Sequence, residues 1–141
     1  LAGGRVGFAM GSPELINAMN RVKYSFHPYN VNRLSMLAAA AAMEDEDYFR
    51  SCVAAILTNR AWTERKLRMM GFTVLPSSAN FVFAKHIRMP GWELYRRLKE
   101  NGILVRWFDA PRLRDYVRVT IGSQEQMETL VETAGKLLSE V

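Results

Sequence analysis

From about residue 44 onward, amphipathic helical stretches and short β-rich runs follow one another in the order helix, strand, strand, helix, strand, strand, helix. No other feature limits the possible fold as much. Strands placed in pairs between helices predict helices packed on a small, mostly antiparallel sheet, an α/β chain of the α+β kind. The predicted strands are residues 72–75, 80–84, 103–108 and 116–121, where aromatic and β-branched residues gather. The long first helix opens at Asp45 to Asp47, acidic residues where the helix dipole favours them, and Gly71 is its expected stop. Phe49, Cys52, Val53, Ile56 and Leu57, continued by Leu67 and Met70, are its predicted apolar face. Arg60, Arg65, Lys66 and Arg68 read as a solvated face. A helix over 90–100 ends at Asn101-Gly102. Ser123-Gln-Glu-Gln126 is a capping box opening a last helix whose buried stripe is Met127, Leu130, Val131, Ala134, Leu137 and Leu138.

The preceding residues have a different grammar. Residues 5–10, R-V-G-F-A-M, read as a strand. Ser12-Pro13 then supplies an N-cap and a proline at the first helical position. Leu15, Ile16, Met19 and Val22 follow at helical spacing, and the helix should fray before Pro28, whose ring pushes the preceding residue out of the helical region. A polar link over 28–33 leads into an alanine-rich helix over 34–43.

Composition removes several function classes. With 49% hydrophobic and 23% charged residues, 141 positions suffice for a real core, and no apolar run is long enough to span a membrane. The single cysteine, Cys52, excludes an internal disulfide and fits a reducing, cytoplasmic setting. A net charge of +5 would suit nucleic acid, but the basic residues are scattered and the aromatics do not alternate with them, so no nucleic-acid partner is expected. His27 and His86 stand far apart without Cys or carboxylate at ligand spacing, so no metal site is expected.

Three arginines remain as candidates for chemistry. Arg5 lies among Gly3, Gly4 and Gly7, where the backbone is free to approach a ligand closely. A guanidinium held there offers planar, permanently charged donors suited to phosphate. Arg106 in I-L-V-R-W-F and Arg118 in Y-V-R-V-T-I each interrupt an apolar strand. Alternation puts Tyr116, Arg118 and Thr120 on one face and Val117, Val119 and Ile121 on the other. That face is either plain solvent surface or a functional surface, and the pattern leaves both open.

The opening L-A-G-G-R-V-G-F resembles the segment after the cofactor lysine in fold-type I pyridoxal-phosphate aminotransferases, and most of all the histidinol-phosphate aminotransferase group. Gly4 departs from the leucine usual in that group. I-L-V-R followed by Y-V-R-V-T-I-G, together with P-S-S-A-N-F-V-F-A and P-Y-N-V-N-R, is similar to the same group, so the likeness runs through nearly the whole chain. The resemblance implies pyridoxal 5'-phosphate as cofactor with Arg5 on its phosphate, and Arg118 as receptor for the substrate's carboxylate or phosphate with Arg106 as a second anion contact. It further implies a small-molecule amino substrate, a 2-oxo acid such as 2-oxoglutarate as acceptor, and a homodimer. The Schiff-base lysine of the group would fall just before Leu1. With no initial Met and a motif cut part-way, the chain is expected to be the C-terminal portion of a larger enzyme: 1–30 the tail end of the cofactor-binding domain, contributing one strand and one helix, and 31–141 the small domain. Threonine-phosphate decarboxylase or another fold-type I pyridoxal-phosphate enzyme, and a non-catalytic, aminotransferase-like effector domain of a transcription regulator, are the alternative readings.

Overall fold

The computed structural model describes residues 2–140, so Leu1, the first residue of the glycine-rich opening, and Val141 lie outside the described residues. By compactness the chain divides into two units, Leu1–Ser51 and Cys52–Val141.

The first unit holds a short 3-10 turn at Ala2–Gly4, helix α1 over Pro13–Phe26 and helix α2 over Arg33–Glu44. Both helices begin as local chemistry requires. Ser12 is extended and its hydroxyl accepts from the Leu15 N–H, with Pro13 just inside α1. Asn32 caps α2 by accepting the Ser35 N–H at 2.9 Å. The α1 helix closes at Phe26, two residues before Pro28, as the proline demands. The strand expected over 5–10 does not form. A strand exists only through its ladder partner, and every paired strand among the described residues lies between Thr73 and Thr120. Neither α1 nor α2 contains a buried residue.

Helix α3, Glu46–Met69, runs through the boundary between the units. Its buried face matches the expected one in part: Leu67 is buried and Ile56 and Met70 pack against the core. Phe49 and Leu57 are exposed, and the buried positions are Asn59, Thr63 and Leu67, spaced four apart. The two polar members are tolerated because they are satisfied. Asn59 Nδ2 donates to the Gly122 carbonyl at 2.9 Å, and Thr63 Oγ1 donates to the Asn59 carbonyl at 2.7 Å. The basic run is likewise more than a solvated face, since Arg60 donates to the Ala79 carbonyl and Arg68 to that of Val74. Gly71, at φ +89°, ends α3 in a Schellman arrangement: the Phe72 N–H reaches the Leu67 carbonyl and the Gly71 N–H that of Arg68.

Four strands follow: β1 Thr73–Val74, β2 Phe81–Lys85, β3 Arg106–Trp107 and β4 Val117–Thr120. They form one sheet in the order β1-β2-β4-β3, antiparallel throughout. The run 103–108 is paired only at its Arg106–Trp107 step, while Ile103 and Val105 pack against the core without a ladder. Helices α4, Gly91–Glu100, and α5, Gln124–Ser139, cover one sheet face. Leu94 and Leu98 of α4 and Leu130, Ala134 and Leu137 of α5 meet Val74, Val82, Ala84, Val117 and Val119 of the sheet in a single core. The capping box at the start of α5 is present with both its hydrogen bonds.

Candidate anion-binding site

The other face of this sheet carries the candidate chemistry. Period-two alternation, which buries Val82, Ala84, Val117 and Val119, leaves Phe81, Phe83, Lys85, Tyr116 and Arg118 half-buried on the opposite side. Arg106 of β3 is directly opposite Arg118 of β4 in the antiparallel register, so the two guanidiniums stand on the same face. The connection between these strands is tightly held. Trp107 Nε1 donates to the Arg114 carbonyl at 2.7 Å. Gly91, at the start of α4, lies so close that a Cβ there would be 2.6 Å from the same carbonyl oxygen.

Like charges placed opposite each other destabilise a sheet by roughly 0.2–1 kcal/mol unless something compensates. Among the described residues no carboxylate is paired with Arg106 or Arg118, although five other ion pairs tie up arginines elsewhere. Aromatic rings take the place of counter-charges. The Arg118 guanidinium carbon is 5.3 Å from the Phe81 ring centre and 5.8 Å from that of Phe108, and the Arg106 carbon is 5.2 Å from Phe108. Arg118 Nε is buried and has no hydrogen-bond partner, at a cost of roughly 1–3 kcal/mol for such a group. Two unneutralised cations, one with a dehydrated and unused donor, make a surface complementary to an anion. Next to them Leu75, Pro76, Ser77, Phe81, Phe83 and Phe108 line an apolar cleft of about 280 Å³ that ends at Arg118. A larger cavity of about 370 Å³ beside α5 has no charged residue in its lining.

Arg118 thus points to the outer face, as the alternation allowed, and that face is not plain solvent surface. The sequence reading singled out both arginines but missed the rings that flank them. The signal was present in N-F-V-F, where Phe81 and Phe83 alternate with Val82 and therefore share the face of their cross-strand neighbours Thr120 and Arg118. Tyr116 stacks on Phe83 at 4.7 Å, and Lys85 Nζ lies 5.0 Å from the Tyr116 ring, extending the aromatic and cationic face toward β1.

Arg5 belongs to the first unit. It is exposed and among the described residues no carboxylate is paired with it. Its φ is +54°, the one non-glycine residue in the left-handed region among those described. That conformation costs an L-residue roughly 1–2 kcal/mol, and such outliers concentrate at ligand-holding positions. Among the described residues, a Cβ built on Gly3 or Gly7, each two residues from Arg5, would meet nothing within 4 Å.

Helices packed on one face of a small antiparallel sheet agree with the outcome of comparison with known proteins. The aminotransferase class I and II profile matches residues 1–133, and the chain belongs to that family. Its relatives are more particular. It is 42% identical, over all 141 residues, to histidinol-phosphate aminotransferase of Clostridium botulinum (strain Okra / Type B1), of which it covers 40%. It is 44% identical over 137 residues to histidinol-phosphate aminotransferase 1 of Pseudomonas fluorescens, covering 97% of this chain and 39% of that one. The chain therefore spans about 40% of the length of the curated relatives it matches. In fold it matches the crystal structure of histidinol-phosphate aminotransferase from Sinorhizobium meliloti in complex with pyridoxal-5'-phosphate. The TM-score is 0.84 at 24% identity, over 99% of this chain and 38% of that one.

Proposed function

We propose that this chain is the C-terminal portion of a pyridoxal-5'-phosphate-dependent aminotransferase that exchanges the amino group of histidinol phosphate with 2-oxoglutarate, giving imidazole acetol phosphate and glutamate. The observation that carries the reading is the cross-strand pair Arg106 and Arg118, two cations without counter-ions, in a chain about 40% identical to histidinol-phosphate aminotransferases over its whole length. Residues 1–30 are the tail end of the cofactor-binding domain and 31–141 the small domain. The enzyme is a cytoplasmic homodimer.

The residues present fit the cofactor at one point. Arg5, uncompensated and on a strained backbone, has the donor set for a phosphate monoester. When bound, pyridoxal phosphate supplies the electron sink that makes the α-carbon of an attached amine acidic. This chain's own residues bind and orient. Arg5 anchors the cofactor's phosphate. Arg118 and Arg106 hold the substrate anion, a phosphate dianion in one half-reaction and a carboxylate in the other. A planar guanidinium serves both anions, because each offers two oxygens at the spacing of its N–H groups. The aromatic cleft beside Arg118 limits water around the bound anion, and lower local polarity strengthens each charge contact. The proton-transferring lysine belongs to the upstream portion of the enzyme, so the 141-residue chain alone has no transaminase activity. Turnover by the isolated chain would contradict that assignment.

The test is a half-reaction on the full-length enzyme carrying its cofactor, with L-histidinol phosphate and no oxo acid. Stoichiometric conversion of the cofactor to pyridoxamine phosphate, followed by absorbance, supports the reading. No conversion, with CO₂ released from O-phosphothreonine instead, moves the assignment to a decarboxylase.

A further inference from the structure

We propose that Phe108 is a positioning residue that sets specificity: its ring, shared by both guanidiniums, fixes the spacing of Arg106 and Arg118 and thereby favours a doubly charged phosphate over a carboxylate. This rests on the reading of the two arginines as the substrate's anion receptor.

The geometry that leads to it is the register of β3 and β4. Arg106 pairs with Arg118, and Phe108, two residues beyond Arg106, is on the same face, diagonal to Arg118. Its ring centre is 5.2 Å from the Arg106 guanidinium carbon and 5.8 Å from that of Arg118, so a single ring is within cation–π range of both. Arg118 has a second ring, Phe81, at 5.3 Å. Arg106 has no second aromatic contact among the described residues and is exposed.

A carboxylate between two arginines would also fix their separation, but it would neutralise their charge and occupy their N–H groups. A ring face attracts a cation through its quadrupole and takes no N–H donor. Phe108 therefore opposes the mutual repulsion of the pair while leaving both positive charges, and every donor, for a ligand. Without the ring, Arg106 swings outward along its flexible stem, while Arg118 stays beside Phe81. A carboxylate satisfied at Arg118 then loses little, whereas a phosphate dianion that needs both charges at once loses the second contact.

The experiment compares two substrates on the full-length holoenzyme. In Phe108→Leu, KM for the phosphate-bearing amine L-histidinol phosphate rises roughly tenfold, the loss of contacts of this type. KM for L-glutamate in the reverse half-reaction stays within about threefold, kcat is unchanged for both, and Phe108→Tyr, which keeps a ring, restores the wild-type ratio. Phe108→Met, whose unbranched side chain adapts to irregular gaps, gives the same split if the leucine variant folds poorly. An equal rise for both substrates, or no rise for either, overturns the proposal, because a merely structural role does not separate two anions at constant kcat. Arg118→Gln in the same assay tells the two possible failures apart. If it leaves both KM values unchanged, the receptor reading itself falls. If it raises both while Phe108→Leu moves neither, only the role of Phe108 falls.

Discussion

Helices α1 and α5 carry apolar stripes of the same helical spacing and meet opposite fates. In α5, Met127, Leu130, Ala134, Leu137 and Leu138 are all buried, because the inner face of the sheet and α4 supply a matching apolar surface. In α1, Leu15, Met19 and Val22 remain 63%, 55% and 69% exposed, and no residue of the helix is buried. An apolar stripe states that a helix needs a partner; it does not provide one. The second unit contains both halves of its own packing. The first unit has capped helices and, among the described residues, no buried side chain, and Phe8, Met10, Phe26 and Tyr29 add to its exposed apolar surface. The candidate residues divide in the same way. Arg106 and Arg118 stand on a sheet braced by a packed core, whereas Arg5 stands on a strained, unpaired segment.

The largest test of this contrast is a pair of leucine truncations in the 141-residue chain. Leu98→Ala removes a fully buried side chain of α4 and lowers unfolding stability by about 2–5 kcal/mol in urea titration. Leu15→Ala, on the exposed apolar stripe of α1, changes it by less than about 0.5 kcal/mol. Equal losses would break the contrast. A smaller effect sharpens it at the strand connection: Gly91→Ala drives a Cβ into the Arg114 carbonyl and costs about 1–3 kcal/mol of thermal stability. Gly3→Ala, where a Cβ meets nothing, leaves the melting transition where it was. Smallest is the comparison of caps. Ser123→Ala breaks the capping box of α5 at a cost of about 1 kcal/mol in the cooperative transition, and Ser12→Ala in α1 leaves that transition unmoved. A shift of equal size from Ser12→Ala would mean that α1 unfolds together with the second unit.

Much of the fold was legible in the sequence because its signals are local. Ser12-Pro13, Gly71, Asn101-Gly102 and Ser123 to Gln126 mark helix ends by chemistry that acts within four residues, and all four stand where the helices begin or stop. The antiparallel sheet followed from the order of elements, and the shared face of Tyr116, Arg118 and Thr120 from alternation. Features that depend on distant partners were missed. The run 5–10 has strand composition, yet a strand is defined by a neighbour that no local pattern reveals. The buried face of α3 was read by hydrophobicity alone and so missed Asn59, whose acceptor, the Gly122 carbonyl, is 63 residues away. The placement of Phe81 and Phe108 beside Arg118 needed the register of three strands, of which the sequence shows only the alternation within each.

The account rests most heavily on the claim that the outer face of the sheet, through Arg118, receives the substrate's anion. The measurement that addresses it most directly is the concentration of L-histidinol phosphate giving half-maximal single-turnover conversion of the full-length holoenzyme, compared between wild type and Arg118→Gln. Charge-assisted hydrogen bonds are worth about 1.5–3 kcal/mol, so the account predicts a rise of about 10- to 100-fold with the cofactor still bound. An unchanged half-saturation point in a folded, cofactor-loaded Arg118→Gln enzyme would contradict it.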